Sequence, residues 1–244
     1  DWIFANCHAL KAIAFPKTIQ SISPGTFYDC RSLSTIECKS LTPPVTATGN
    51  GDSPFTGAFK PENCTLKVPF TSISVYKESN IYGVMNTIAP LANITADNEE
   101  VSPETTDLLA TAKKITISGS TPDALEIQAL FASNEKVTSI DMTGVIEYFE
   151  VPVAANPNCL VYAPASAQVE NNNVVINGTA KKIVLTDAMP FEVPTAFHAE
   201  AISYTRTIEE SLTTNAQETT SWRGIVLPFD VSTIQTRNKA GEQV

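Results

Sequence analysis

The chain has 244 residues, of which 43% are hydrophobic and only 17% charged, with a formal net charge of −10. That balance excludes disorder of the whole chain, which needs little apolar material and much charge. The acidic excess is a poor match to a phosphate backbone, so no nucleic-acid partner is expected.

The chain opens on Asp1-Trp2-Ile3-Phe4 and reads as a mature fragment or a trimmed piece, with any targeting segment already removed. The first element is a strand centred on Ala14. It closes the motif Phe4-x-x-Cys7-x-x-Leu10-x-x-Ile13-x-Phe15, which recurs 23 residues later as Phe27-x-x-Cys30-x-x-Leu33-x-x-Ile36-x-Cys38. A third copy, Phe131-x-x-Asn134-x-x-Val137-x-x-Ile140-x-Met142, carries Asn in place of Cys. Self-similarity of this kind marks a repeat architecture, in which each unit buries its apolar face only by stacking on the next.

The pattern places further strands on Glu37, Lys67, Thr116, Asp141, Tyr162 and Val184. Their spacings from Ala14 onward are 23, 30, 49, 25, 21 and 22 residues, and the gap of 49 has room for one irregular repeat. Phe4, Leu10, Ile13, Phe15, Phe27, Leu33, Ile36, Phe131, Val137, Ile140 and Met142 are expected in one stacked core. The residue between two inward positions must point out, because strand side chains alternate. Glu37, Lys67, Thr116, Asp141 and Tyr162 therefore form the candidate partner-binding face. Tyr162 is its expected anchor, since an aromatic offers large contact area with few rotors. The competing role for Tyr162 is to cover the junction with the C-terminal part.

Between the strands, a short helix is expected from Thr71 or Ser72 to about Asn80, with Ile73, Tyr76 and Ile81 on its apolar side. Residues 93–107 hold Asp97, Glu99, Glu100, Glu104 and Asp107 and no base, and read as a solvated linker. Ser120-Thr121-Pro122-Asp123 starts a second helix, with Leu125, Ala129 and Leu130 on its buried side. Beyond 187, the alternating run 198–208 and the extended run 222–229, joined by a polar loop, predict a β-hairpin or part of a small antiparallel domain. The organisation expected is a repeat subarray at 1–92, an acidic linker at 93–107, an irregular second subarray at 108–187 and a β-rich module at 188–244. That module either packs on the end of the array or belongs to a larger β domain cut by the chain end.

Catalytic chemistry has few carriers. His8 and His198 are the only histidines, and no nucleophile-elbow, zinc-helix or phosphate-loop motif occurs. His198 shares a strand face with Glu200, Tyr204 and Arg206, a pattern commoner as plain strand surface than as a metal or acid–base site. The acidic residues lack both a glycosidase pairing and a calcium-loop spacing. No catalytic residue, metal or cofactor is assigned. The five cysteines include no Cys-x-x-Cys pair. Cys7 and Cys30, at equivalent repeat positions, read as stacked free thiols, and Cys38 with Cys64 is the candidate bridge. No transmembrane segment is expected: the longest uncharged stretch, Val151 to Val169, holds Pro152, Pro157 and Pro164.

The motif at 4–15 and 27–38, with Asn63-Cys64-Thr65-Leu66-Lys67-Val68-Pro69 followed by Tyr76, resembles the BspA-like leucine-rich repeats of bacterial surface proteins. The resemblance is strong over about residues 1–90 and weaker over 108–187. It implies an α+β repeat fold, a leucine-rich-repeat solenoid with short parallel strands followed by a small antiparallel β module, and further repeats N-terminal to this chain. It also implies an extracellular or outer-membrane-anchored place on a bacterial cell. The function implied is a non-catalytic interaction module, adhering to a host protein, a glycan or a neighbouring bacterium. The alternative is a carbohydrate-active enzyme, or its accessory carbohydrate-binding domain, with its site where the repeats meet the β module.

Overall fold

The computed structural model describes residues 2–46, 53–57, 59–120, 124–146, 151–169 and 171–205. Six strands come first: β1 (Ala12–Phe15), β2 (Ser21–Ile22), β3 (Thr35–Cys38), β4 (Val45–Thr46), β5 (Thr65–Val68) and β6 (Thr87–Pro90), with helix α1 (Ile73–Lys77) before β6. Then follow β7 (Ala92–Ala96), β8 (Glu99–Glu100), β9 (Lys114–Gly119), helix α2 (Ala124–Phe131), β10 (Ser139–Val145) and β11 (Leu160–Ala163). The last are β12 (Val174–Ile176), β13 (Thr179–Ala180), β14 (Ile183–Thr186), β15 (His198–Ala199) and β16 (Ile202–Thr205).

Strands β1, β3, β5 and β6 form a parallel sheet in that order. The repeat offset is also the pairing register: Ile13 lies opposite Ile36, Ile36 opposite Leu66, and Leu66 opposite Ile88. A second row stacks before the strands. Phe4, Phe27 and Phe55 lie ring on ring, with centroids 5.6 and 5.5 Å apart and planes within 15° of parallel. The turn after each Phe requires left-handed backbone, and it is taken in successive repeats by Asn6 (φ 60), Asp29 (φ 57) and Gly57 (φ 74). Those are the residue types that tolerate that conformation best.

The larger sheet has the order β15-β13-β12-β11-β10-β9-β7-β8. Strands β9 to β12 are parallel, and Ile115, Ile140, Val161 and Val174 form their shared inward row. Antiparallel pairing occurs at β7 with β8, β7 with β9, and β12 with β13, the last through the turn at Asn177 (φ 49) and Gly178 (φ 74). In the C-terminal segment, β15 pairs in parallel with β13, and β16 with β14. Arg206 and the expected strand partner at 222–229 lie outside the described residues.

Several expectations need correction. The anticipated single core is two apolar clusters. One holds Phe15, Phe27, Leu33 and Ile36, and the other holds Phe131, Val137, Ile140 and Met142. The stack breaks after β6, where Pro90 has no N–H and the chain reverses into antiparallel β7. The first repeat's Phe4, Leu10 and Ile13 are only half-buried, whereas Phe27, Leu33 and Ile36 have a repeat on each side. Residues 93–107 are no solvated linker: Ile94, Ala96 and Val101 are buried, and Asp97 accepts hydrogen bonds from the backbone of Lys113 and Lys114 at 2.8–3.2 Å. The gap of 49 contains both β6 and β7. Val184 leaves the main ladder, and Val175 stands beside Tyr162 instead. Helix α2 forms where expected, but Ala129 is exposed and the Leu125 side chain lies outside the described residues.

Candidate interaction surface

The five residues expected on the outward face fall into two groups on two sheets. Glu37 lies opposite Lys67, and their side chains meet at 3.8 Å, a half-exposed cross-strand ion pair. Pairs of this kind contribute at most about 1 kcal/mol. Thr116 lies opposite Asp141, and Asp141 opposite Tyr162. The Asp141 carboxylate is turned onto its own strand, accepting from the Thr143 N–H at 3.0 Å and its hydroxyl at 2.7 Å. This loop sits where the β9–β10 register shifts, between Asp141 and Gly144.

Tyr162 is not an exposed anchor: it is 7% exposed. Its hydroxyl donates to the Thr195 carbonyl at 2.9 Å, and its ring meets Phe197 edge-on with centroids 6.4 Å apart. Burial raises its pKa above the usual 10.0. The segment leading into β15 therefore lies over the end of this ladder, as in the competing reading of that residue.

Sequence reasoning missed a second group, around the turns of the first two repeats. Asp29 binds Arg31 at 2.6 Å and lies 2.9 Å from His8 Nε2, so one carboxylate ties two repeats together. Close by in sequence, the rings of Trp2 and Tyr28 touch with centroids 5.0 Å apart, tilted by 54°. The one available signal was the row Asn6, Asp29, His8, Arg31 flanking the two repeat cysteines.

All five cysteines are free thiols, Cys7 exposed and the others buried. The proposed Cys38–Cys64 bridge is excluded by register. Thr35 pairs with Thr65, which puts Cys64 beside Ser34, four residues and about 13 Å along the strand from Cys38. Cys38 instead receives the Tyr76 hydroxyl at 3.1 Å. His198 is exposed on β15, whereas Tyr204 lies on β16 in a different sheet, so the two do not share one strand face as expected; the Tyr204 hydroxyl donates to Asp187 at 2.6 Å. Among the described residues no three His, Cys, Asp or Glu side chains converge to hold a metal. No described helix is long and apolar enough to cross a membrane.

Residues 1–90 match the model of the BspA type leucine rich repeat region, in six copies. No curated protein matches the chain.

Proposed function

We propose, for a chain whose residues 1–90 belong to the BspA-type leucine-rich repeat family, a non-catalytic interaction module at a bacterial cell surface that adheres to a protein or glycan. Proteins with this repeat are typically surface proteins and generally not enzymes. In this reading the repeats stack as a solenoid whose two sheets present the outward rows. The supporting observation is the register. Glu37 and Lys67 in one sheet, and Thr116 and Asp141 in the other, stand in rows that the core does not use. Tyr162 is buried and offers a partner no anchor.

The test is an array of glycans and extracellular-matrix proteins probed with the purified chain, beside a Glu37→Lys/Asp141→Lys variant. Saturable binding is expected, weakened in the variant. Binding to no component, or turnover of a polysaccharide on the array, overturns the reading.

A further inference from the structure

We propose that residues 187–197 are a strap that opens as a unit from the outward face of β11 and β12 and uncovers an apolar strip of Leu160, Tyr162 and Val175. The opening stands by itself; its control over binding at the Thr116–Asp141 row rests on the interaction-module reading above.

The strip is buried without being core. Leu160, Tyr162 and Val175 are each at most 7% exposed, yet none belongs to either apolar cluster. Alternation gives the reason. Val161 and Val174, beside them in their strands, fill the large core, so these three side chains point the other way. What covers them is the segment 187–197. Asn156 and Asn158, just before β11, donate to the carbonyls of Pro190 and Met189, and the Tyr162 hydroxyl, within β11, donates to that of Thr195. The segment therefore runs lengthwise along β11, and Phe197 near its end packs on the Tyr162 ring.

The strap is fixed at its ends and loose between them. The Asp187 N–H donates to the Thr205 carbonyl at 3.1 Å, and the His198 N–H to that of Gly178 at 2.8 Å. Among the described residues, no backbone–backbone hydrogen bond involves 188–197. The side chains of Asn156, Asn158 and Tyr162 make the hydrogen bonds that hold it. Pro190 and Pro194 have no N–H to give, and residues 192–196 are exposed. A segment with few buried contacts and a water-facing backbone opens at a lower free energy than the core beneath it. Ala188 supplies the hinge: its φ of 63 is a left-handed conformation that a Cβ disfavours, and opening releases that strain. Closed, the strap ends the outward row at Asp141. Open, the row continues onto the Tyr162 ring and the aliphatic side chain of Val175.

Val175→Cys places a thiol under the strap, and Cys159, buried in the large core, is its native control. Global unfolding exposes both thiols, whereas strap opening exposes only the first. The native protein is treated with a thiol-alkylating reagent, and each site is followed by mass spectrometry. The Val175→Cys thiol should react roughly 10-fold faster than Cys159, or more. Phe197→Ala removes the ring contact and should speed the first thiol without speeding Cys159. Ala188→Gly should slow it, because glycine accepts the left-handed turn of the closed strap without strain. A loop with no strained hinge is loosened by glycine instead. Equal rates for the two thiols, or faster reaction in the Ala188→Gly variant, overturn the strap. Leu160→Cys provides a second site for the same comparison if Val175→Cys does not fold. On the array of glycans and matrix proteins, stronger binding by Phe197→Ala supports control by the strap. Unchanged binding overturns that control, while the thiol rates still decide the opening. No array binding by either protein overturns the interaction module alone.

Discussion

The side-chain amide of Asn158 pairs with the backbone of Thr186 as another backbone would, donating to its carbonyl at 2.9 Å and accepting from its N–H at 2.7 Å. Asn173 does the same with Val184, at 2.9 and 2.6 Å. Asn134 donates to the carbonyls of Leu109 and Ala112 and accepts from the Lys136 N–H, and Asn156 donates to those of Val137 and Pro190. All four amides are buried. They satisfy backbone groups that irregular repeats leave without sheet partners.

Asn158→Ala should therefore cost far more than the loss of one hydrogen bond. It strands the Thr186 N–H and weakens the accounting for the Thr186 and Met189 carbonyls. Each stranded group costs about 1–3 kcal/mol, so a loss on the order of 3 kcal/mol is expected in urea denaturation. A loss below about 1 kcal/mol would mean that solvent reaches these groups.

Ile13 and Ile36 occupy the same motif position, yet one is half-buried and the other fully buried. Ile36→Ala should cost on the order of 2–5 kcal/mol, because it opens a cavity between two repeats. Ile13→Ala should cost less than half as much, since its side chain is only half-buried in this chain and leaves a smaller cavity. Equal losses in paired denaturation curves would contradict the stacked arrangement of the first sheet.

Much of this was legible in the sequence. The 23-residue offset predicted the Ile13–Ile36 pairing, and the strand centres at Glu37, Lys67, Thr116, Asp141 and Tyr162 lie in register within their sheets. What escaped depends on contacts between residues far apart in sequence. Strand β7 looked like the start of an acidic linker because Asp97, Glu99 and Glu100 follow it, but its alternating Ala92, Ile94 and Ala96 fill the core beside β9. Tyr162 could be placed on the outward row, but not beneath Thr195 and Phe197, which arrive some 33 residues later. The Trp2–Tyr28 pair carries no motif. It exists because glycines at 25 and 57 leave space for rings from neighbouring repeats.

Thiol chemistry should separate Cys7 from the other four cysteines. Cys7 is exposed, whereas Cys30, Cys38, Cys64 and Cys159 are buried, and burial raises the pKa of each of those four thiols. The thiolate is the reactive form, so buried thiols with raised pKa values react slowly. An aromatic disulfide reagent at pH 8 should label one equivalent quickly in the native protein and five in denaturant without reductant. Cys7→Ser should abolish the fast phase. Fewer than five equivalents in denaturant would point to a bridge and contradict the free thiols.

The same burial makes the fold sensitive to alkali. Burial pushes the Cys64 thiol up to about 11 and the Cys159 thiol up to about 12, from the usual 9.0. Below pH 9 both thiols are protonated in the folded and unfolded chain alike, and their contribution to stability is complete. Above pH 9 the unfolded chain releases these protons while the folded chain still holds them. The folded state then binds more protons, so stability falls as pH rises, until the folded thiols also ionise near pH 11 and 12. The limiting slope is about 1.4 kcal/mol per pH unit for each thiol. Tyr76 and Tyr82, also raised by burial from 10.0, steepen the fall at higher pH. Urea denaturation at about pH 8, 9.5 and 10.5 should show a continuous loss. Cys159→Ala removes one of the titrating groups, so its curve should fall less steeply than that of the unsubstituted protein, whatever the cost of the substitution at pH 8. Parallel curves would mean that Cys159 ionises as readily in the folded chain as in the unfolded one, and that its surroundings are wet.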